Sequence, residues 1–402
     1  MKKKKGRKKV SRKLYKEFDL WPRWLRGRKF PHHDDYLSGE RIFPDPITGK
    51  EKAFDLIDKT FLAYNAARMR EACKLYVEKI LKDNVCVGVS LAGALTPAGL
   101  GKSAIVPLIN AGFVDWIVST GANLYHDLHF AFNLKLHTGR PDINDADLRD
   151  NCVVRIYDVL LSYTECLLAT DHQLRKILSK DEFQREMGTA EFHYKIGKHA
   201  AEFEESNNIV GASILAAAYR AGVPIYTSSP GDSGLGMHVA ENSLRDFGTH
   251  IIPSIDVNET AAIVYAAKRS RGKSAVVLVG GGSPKNFLLQ TEPYMQEILH
   301  IEDVGHDYFL QFTDARPDTG GLSGATPHEA VSWGKVDPNK LPDAIVCYMD
   351  VTVALPLLTH FALAKHKKRA YRNLYEKRED LVEALEERYW KENEYRIEPK
   401  RI

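Results

Sequence analysis

Six mostly apolar runs recur along the chain without the strict alternation of apolar and polar residues. They cover residues 85–91, 114–120, 223–227, 275–279, 308–313 and 344–349. Runs of this kind are typical of strands buried on both faces of a parallel sheet. Apolar residues at helical spacing lie between them, at residues 101–111, 150–178, 209–221, 258–269 and 351–364. The alternation predicts an α/β protein with a doubly wound, mostly parallel sheet and a helical insertion at about residues 130–206.

Helical and charged segments flank this sheet. At residues 58–82 apolar side chains recur near helical spacing behind Asp58, which we expect to cap a docking helix. Residues 1–16 hold ten Lys or Arg and no Asp or Glu, which predicts a disordered basic arm. Residues 367–402 are dense in both charges and predict a solvated or partner-packed helix. The α/β domain is then expected at residues 17–366.

Composition narrows the class of protein. No apolar run in the 402 residues approaches the ~18 residues of a membrane span. The lysine-rich start has no hydrophobic segment behind it that could serve as a signal peptide. Five cysteines without a CxxC pair indicate neither a disulfide framework nor a metal site, so we expect a cytoplasmic protein. The arm could hold nucleic-acid phosphates, but without interleaved aromatic residues a solubilising tail is favoured.

The predicted strands run into small or polar residues, which suggests a ligand site. Turns of this kind occur at residues 92–94, 119–121, 228–232, 280–282 and 314–315. Ligands of open parallel sheets bind at the carboxyl ends of the strands, where glycine allows close backbone approach. Five such turns indicate a site large enough for a dinucleotide. The usual GxGxxG fingerprint with a later acidic residue is absent.

One octapeptide, residues 329–336, places Glu329, Ser332, Trp333 and Lys335 close together. A lysine beside an aromatic wall loses solvation, so its neutral, nucleophilic amine becomes accessible near neutral pH. This favours chemistry through a lysine imine. The alternative is a strand end in which Trp333 belongs to the core and Lys335 extends to the surface.

Several motifs together resemble deoxyhypusine synthases, and in particular the bacterial deoxyhypusine synthase-like branch. The resemblance runs from about residue 58 to 358. It is carried by the octapeptide and by residues 120–124 (TGANL), 281–287 (GGSPKNF), 320–325 (GGLSGA) and 350–352 (DVT).

The resemblance implies a role for each matching residue. Lys335 is expected to carry the butylamine unit of spermidine, with Glu329 beside it as a second catalytic residue. The implied substrate-binding residues are Trp333, Ser323, Asn286, His126 and His238. The implied cofactor is NAD, held by Thr120, Gly121, Asp232, Gly281, Gly282, Asp314, Ala315 and Asp350.

Local structure offers alternatives for four of these residues. Glu329 could be a surface glutamate and Trp333 a core residue. Asp350 could cap a helix, and Asp232 could form an Asx turn.

The chain also departs from the family pattern. Tyr125, Met237 and Leu322 stand where the family has acidic residues that grip ammonium groups, and Asn286 stands where it has a histidine. The nearby polar residues are candidate replacements or simply structural groups, namely His126, Asp127, His238 and Asp318.

The resemblance implies an NAD-dependent aminobutyl transferase, because hydride removal makes the saturated donor carbon open to attack by Lys335. The acceptor stays open between a lysine of an initiation-factor protein and a small diamine, which would give homospermidine. The family further implies a homotetramer with shared active sites. The alternatives are a non-catalytic regulator that binds NAD or polyamine, and an RNA-associated protein that uses the basic arm.

Overall fold

The structure is a computed structural model that describes Trp24 and residues 28–245, 248–269 and 271–393. The chain divides into two compact units, residues 1–45 and 46–402. The described part of the first unit includes a short helix, His33–Tyr36. The expected basic arm lies outside the described residues.

Eleven strands of the described residues form three sheets. They are β1 (Val85–Leu91), β2 (Trp116–Ser119), β3 (Leu136–Thr138), β4 (Val153–Ile156), β5 (Val159–Ser162), β6 (Glu186–Met187), β7 (Ile225–Thr227), β8 (His250–Ile251), β9 (Lys273–Val279), β10 (Tyr308–Phe312) and β11 (Ala344–Cys347). The central sheet has the order β11-β10-β9-β1-β2-β7, and each neighbouring pair is parallel. The predicted α/β architecture with a mostly parallel sheet is therefore confirmed.

The α-helices of the second unit surround this sheet. They are Ala53–Thr60, Tyr64–Leu75, Val106–Asn110, Gly121–Ala131, Asp145–Asp150, Ala169–Leu178, Thr189–Ser206, Ile214–Ala221, Gly234–Ser243, Pro253–Arg269, Gly282–Leu289, Thr291–Pro293, Pro327–Ser332, Val351–Lys365 and Arg378–Glu392. π-Helical turns cover Tyr76–Ile80, Gly101–Ile105, Tyr163–Leu168 and Tyr294–Ile298, and 3₁₀ turns cover Thr96–Ala98, Asp181–Phe183, Pro317–Thr319, Leu322–Gly324 and Pro338–Asp343. None of the helices in the described ranges is both long and apolar enough to cross a membrane.

The order of the central strands shows how the sheet is built. The chain lays down β1, β2 and β7 outward in one direction, then returns to place β9, β10 and β11 on the other side of β1. Because all six strands are parallel, their carboxyl ends share one edge. The order reverses between β1 and β9, and ligands of open parallel sheets bind near such a reversal.

A close contact at the centre of the sheet explains why residue 88 is a glycine. Gly88 of β1 pairs with Trp116 of β2, and a Cβ atom at residue 88 would lie only 2.6 Å from Cε2 of that indole. A buried indole can therefore cross the central strand only because residue 88 has no side chain.

The six predicted central strands are present, each within two residues of its expected ends. One helical prediction was wrong in its first half. Residues 153–162 form the β4-β5 hairpin, and the helical part of that region is the π-helical turn Tyr163–Leu168 followed by the α-helix Ala169–Leu178. The apolar residues Val153, Val154 and Ile156 lie in the first strand, and Tyr157 turns the chain with φ 54°. The expected helical insertion at 130–206 thus also contains an antiparallel sheet, β3-β5-β4.

The docking helix expected at residues 58–82 is interrupted. Asp58 lies inside the helix Ala53–Thr60, so it does not cap the following helix, Tyr64–Leu75. Its carboxylate instead pairs with Lys365, Oδ2 to Nζ 3.3 Å. Apolar spacing continues across the break at residues 61–63, and periodicity therefore did not reveal it.

The C-terminal segment packs against the body of the protein. Leu374 and Leu385 are buried in a cluster with apolar residues of the central sheet and its helices. Arg378, the first residue of the last helix, pairs with Glu259, Nε to Oε1 3.1 Å. The helix Arg378–Glu392 is therefore part of the folded unit.

Candidate active site

Each residue expected to hold the cofactor follows a central strand. Thr120 and Gly121 follow β2, Asp232 follows β7, and Gly281 and Gly282 follow β9. In the same way Asp314 and Ala315 follow β10, and Asp350 follows β11. The parallel sheet therefore brings all eight to its carboxyl edge, which we call the rim.

Four described helices of at least eight residues begin at the rim: Gly121–Ala131, Gly234–Ser243, Gly282–Leu289 and Val351–Lys365. Thr120 caps the first of them, because its Oγ1 accepts from the backbone N–H of Asn123 at 3.3 Å and donates to the carbonyl of Gly93 at 2.5 Å. Ser233 caps the second, with Oγ 3.2 Å from the N of Gly236. Helix starts present backbone N–H groups and positive potential, both suited to phosphates.

Two glycines at the rim allow neighbouring loops to touch. A Cβ atom at Gly121 would lie 2.3 Å from Oγ of Ser233, and one at Gly281 would lie 2.4 Å from Cα of Ser323. The backbone N–H of Gly282 donates to Oγ of Ser323 at 2.9 Å. The loops after β2 and β7, and those after β9 and β10, are thus joined through contacts that any side chain would block.

The acidic residues of the rim differ from one another. Asp232 and Asp314 are exposed. Asp350 caps the helix Val351–Lys365, where its Oδ1 accepts from the N–H of Thr352 at 2.8 Å. The alternative helix-cap role of Asp350 is therefore confirmed, and its second carboxylate oxygen stays available for a ligand.

The backbone of the Lys335 segment is fixed by a short helix and a left-handed turn. The helix Pro327–Ser332 is capped by Thr326, whose Oγ1 accepts from the N–H of Glu329 at 3.2 Å. Gly334 then turns the chain with φ +64°, and its carbonyl accepts from Nε2 of Gln296 at 2.9 Å. These contacts direct the next residue, Lys335, towards the helix Gly282–Leu289.

The Lys335 amine is half-buried, and it donates to Oδ1 of Asn286 at 3.0 Å. It lies 5.6 Å from the centroid of the Trp333 indole. Burial lowers the pKa of Lys335, while Glu329 and Glu297 oppose that shift by stabilising the ammonium form. The amine thus sits where a neutral, nucleophilic form is accessible.

Two neighbours of Lys335 lie at the surface of the single chain. Trp333 is 57% exposed, so its alternative role as a core residue is wrong. Glu329 is exposed in this single chain. Its charge still acts on Lys335.

A buried polar junction is centred on Lys285, the residue before the Asn286 that binds the Lys335 amine. Lys285, 2% exposed, donates from Nζ to the carbonyl of Ala325 at 2.7 Å, to Oε1 of Gln311 at 3.0 Å and to the carbonyl of Ser323 at 3.4 Å. Gln311 in turn donates to the carbonyls of Ser323 and Gly280, at 2.8 and 2.9 Å. The junction joins β10, the end of β9 and the loop that carries Ser323.

His126 and His238, both expected to bind substrate, belong to a separate cluster. Tyr125 donates from its hydroxyl to Oδ1 of Asp171 at 2.7 Å, and Nε2 of His238 lies 3.5 Å from the same oxygen. Nδ1 of His126 lies 3.0 Å from Nε2 of His129. In the described ranges no hydrogen bond links this cluster to Lys335.

The other two candidate replacement groups have structural or surface roles. Asp127 is buried and accepts from the N–H groups of Ile214 and Leu215, at 2.8 and 3.0 Å, which caps the helix Ile214–Ala221. Asp318 forms an exposed ion pair with Arg316.

A family model described as deoxyhypusine synthase matches residues 55–362. The chain belongs to the deoxyhypusine synthase family. A deoxyhypusine synthase-like protein of Nostoc punctiforme is 55% identical over 351 residues, which cover 87% of this chain and 90% of that protein. One of Thermosynechococcus vestitus is 52% identical, over 90% and 91% of the two chains. A protein of Methanosarcina acetivorans named probable deoxyhypusine synthase 2 is 34% identical, over 84% and 92%.

A solved structure supports the fold. A crystal structure from Entamoeba histolytica, assigned to deoxyhypusine synthase, superposes with a TM-score of 0.52 at 10% identity. The match covers 82% of this chain and 100% of that one. Family membership implies a transferase of the deoxyhypusine synthase-like branch, and NAD is the cofactor of this family.

The rim is consistent with such a cofactor. Exposed carboxylates, capped helix starts and glycines without space for a side chain lie together there, and these are groups suited to ribose hydroxyls and phosphates.

Reasoning from the deoxyhypusine synthase motifs missed Lys285, although its helix carried a signal. Lys285, Leu288 and Leu289 follow the i, i+3, i+4 spacing of one helix face, and all three are buried. Glu297 was missed because it belongs to the π-helical turn Tyr294–Ile298, far from Lys335 in sequence.

Proposed function

We propose that this protein is an NAD-dependent aminobutyl transferase in which Lys335 carries the transferred unit. The observation that carries the proposal is the Lys335 amine, half-buried between the Trp333 indole and Asn286. It is supported by family membership, since deoxyhypusine synthases transfer the aminobutyl unit of spermidine.

We assign NAD to the rim. Gly121 and Gly281 would supply backbone donors, beside Thr120 and Gly282, whose N–H groups already donate to Leu91 and Ser323. Asp232, Asp314 and Asp350 would supply carboxylates; Ala315 lies beside Asp314. Read from β7 to β11, the central strands follow the 3-2-1-4-5-6 order of dinucleotide-binding Rossmann sheets, which supports a Rossmann-like assignment. When bound, NAD supplies the reversible oxidation that turns an amine donor into an imine.

Lys335 then acts on the donor imine as a nucleophile. Its Nζ adds to the imine carbon, the carbon–nitrogen bond to the departing diamine breaks, and the aminobutyl unit stays on Lys335 as an imine. An acceptor amine displaces Lys335 in the same manner and takes the unit away as an imine. Return of the hydride taken from the donor would then reduce this imine to the product amine, so the transfer involves no net oxidation. Each exchange forms one carbon–nitrogen bond and breaks another, so Lys335 is regenerated.

The neighbours of Lys335 prepare these exchanges. Glu329 can pair with a substrate ammonium or relay protons between the incoming and departing amines. Trp333 offers its exposed face to a cationic chain, a contact worth ~1–2 kcal/mol when desolvated. Ser323 and Asn286 line the same region, and we place the far end of the polyamine near His126 and His238.

The acceptor is a protein lysine or a small diamine. Leu322 and Met237, 50% and 65% exposed, stand where the family has acidic residues. An apolar edge is less suited to a basic protein partner, so we favour a small diamine as acceptor and homospermidine as product. A non-catalytic regulator is the alternative function, but it leaves the environment of Lys335 without a purpose.

We further propose a cytoplasmic homotetramer with shared active sites. Glu329 and Trp333 are exposed in the single chain, and a second subunit that covered them would complete the site. In the proposed organisation the α/β domain spans residues 17–366, between the basic arm and the C-terminal helix.

Product analysis tests the function. Purified protein is incubated with NAD and spermidine, alone, with putrescine, or with an initiation-factor substrate, and the products are identified by mass spectrometry, with Lys335→Ala as the control. We expect transfer only when an acceptor amine is present. Steady build-up of NADH would mean a dehydrogenase, and binding without any product would mean a regulator.

A further inference from the structure

Lys285 is a buried cation whose hydrogen-bond partners are all neutral. Its side chain is 2% exposed, and its Nζ contacts two backbone carbonyls and the side-chain amide oxygen of Gln311. No carboxylate oxygen within the described ranges is hydrogen-bonded or ion-paired to it. A buried lysine without a bonded counter-ion is uncommon, and the usual reason is a requirement for its charge.

The contacts of Lys285 determine which of the two neighbouring lysines keeps its proton. Three oxygen acceptors surround Nζ of Lys285, and only an ammonium group can donate to all three. The orientation of Gln311 is fixed as well, because its NH₂ group donates to Gly280 and Ser323. Lys335, by contrast, has one side-chain acceptor among the described residues, Asn286, which a neutral amine satisfies equally well.

The two lysines are close neighbours through the chain itself. Asn286, which binds the Lys335 amine, is the residue after Lys285 in the helix Gly282–Leu289. The charges that face Lys335 are therefore Glu329 from its own segment, Glu297 from the π-helical turn and Lys285 from this helix.

The two amines are also coupled electrostatically. Burial lowers the pKa of Lys285 to about 8, with Glu329 opposing the shift and the charge of Lys335 adding to it. Coupling between two titrating groups is reciprocal, so a charged Lys285 also disfavours the proton on Lys335. A second cation beside a nucleophilic lysine is one of the known ways to obtain a neutral amine near neutral pH.

We propose that Lys285 is a positioning residue that retains its own proton, holds the loop of Ser323 and Ala325, and keeps the neighbouring Lys335 amine neutral and nucleophilic. The proposal rests on Lys335 being the nucleophile of the proposed function. It adds that Lys285 controls the protonation state of that nucleophile.

The test measures the protonation of Lys335 without any turnover. Intact protein is acetylated briefly with a trace of acetic anhydride between pH 6 and 10, and the extent of labelling of the Lys335 peptide is read by mass spectrometry. Lys285→Met removes the charge and the hydrogen bonds, Lys285→Gln removes the charge but can still donate, and Lys285→Arg keeps the charge. Lys102→Met, at an exposed lysine, is the matched control.

With wild-type protein and Lys102→Met we expect the same labelling midpoint. Lys285→Met and Lys285→Gln should raise the midpoint by about one pH unit, which is about tenfold less labelling of Lys335 at pH 7.5. Lys285→Arg should stay closer to wild type. Circular dichroism establishes that each variant is folded, and Lys285→Gln covers the case in which Lys285→Met does not fold.

An unchanged midpoint in the folded neutral variants overturns the proposal, and so does an equal shift in Lys285→Arg. These outcomes are separate from failure of the proposed function. If Lys335→Ala still transferred the aminobutyl unit, the function would fall while the labelling result stood.

Discussion

Two regions of the molecule each bury a lysine amine, and they shift its pKa in opposite directions. Lys268 lies beside Glu292 and Asp303 and donates to the carbonyl of Gly305 at 2.6 Å. Burial disfavours its charge, but Glu292 and Asp303 outweigh that penalty and raise the pKa of Lys268. In the second region burial prevails, and the pKa values of both Lys285 and Lys335 are lowered.

The difference shows that burial alone does not make a lysine reactive. Both regions remove amines from water, yet only the one without a bonded carboxylate favours a neutral amine. We infer that the Lys268 cluster stabilises the fold, and that the Lys335 region gives up stability for chemistry.

The largest expected effect is the loss of transfer activity when the proposed nucleophile, Lys335, is replaced. Lys335→Ala and Lys335→Arg should each lower transfer more than about a thousandfold, because a guanidinium stays protonated and cannot form the imine. The thermal midpoint should change little, as measured by circular dichroism. A Lys335→Arg variant with wild-type turnover would remove Lys335 from the mechanism.

The opposite result is expected in the other region. Lys268→Met leaves the fully buried Glu292 without its counter-ion, and this should lower the free energy of unfolding by about 3–5 kcal/mol. Urea unfolding measures the loss, with Lys102→Met as control, and adding Glu292→Leu should recover part of it. A Lys268→Met protein as stable as wild type would mean that the cluster does not hold the fold.

The dependence of stability on pH should also differ between the regions. The folded pKa of Lys285, about 8, lies below its ordinary value of 10.5, so the unfolded chain binds more protons between these values. The stability of wild type relative to Lys285→Met should therefore rise with pH above about 8, by at most about 3 kcal/mol. Lys268 has the opposite shift, so wild type relative to the double variant Lys268→Met/Glu292→Leu, which also lacks the titrating carboxyl of Glu292, should show no such rise between pH 8 and 10. Urea unfolding at several pH values compares the pairs, and parallel curves would contradict the assignment.

The smallest expected effect concerns the turn that positions Lys335. At Gly334, with φ +64°, a Cβ atom would meet Oε1 of Gln296 at 2.4 Å, whereas Gly211, with φ +88°, has open space around it. Both Gly→Ala changes should lose about 1 kcal/mol of stability through backbone strain. Only Gly334→Ala should also lower kcat, because the added methyl group would displace Gln296, whose side-chain amide holds the Gly334 carbonyl. Equal kcat values for the two variants would show that this turn does not position the nucleophile.

The sequence predicted the central sheet well, for a physical reason. Parallel strands buried on both faces leave continuous apolar runs, so β1 and its neighbours were found within two residues. The β4-β5 hairpin was missed because its residues Val153 to Leu161 can also be read at helical spacing. Asp58 was misplaced because periodicity does not register a three-residue break.

The motifs and their order along the chain predicted which residues lie at the rim. They did not predict which residues surround Lys335. Lys285, Gln311 and Glu297 come from three different elements. Only the folded chain brings Lys285 and Glu297 near Lys335, and Gln311 to Lys285. The i, i+3, i+4 pattern of Lys285 could have shown that this lysine faces inward. That its partners are neutral oxygens could not have been read from the sequence.

The central claim is that Lys335, and not Lys285 or Lys268, carries the transferred unit. Borohydride added during turnover with NAD and spermidine reduces the lysine imine to a stable secondary amine, and peptide mass spectrometry then locates it. We predict a butylamine-sized adduct on the Lys335 peptide, absent without spermidine or NAD. Product formation with no adduct there, or with the adduct on another lysine, would contradict the account.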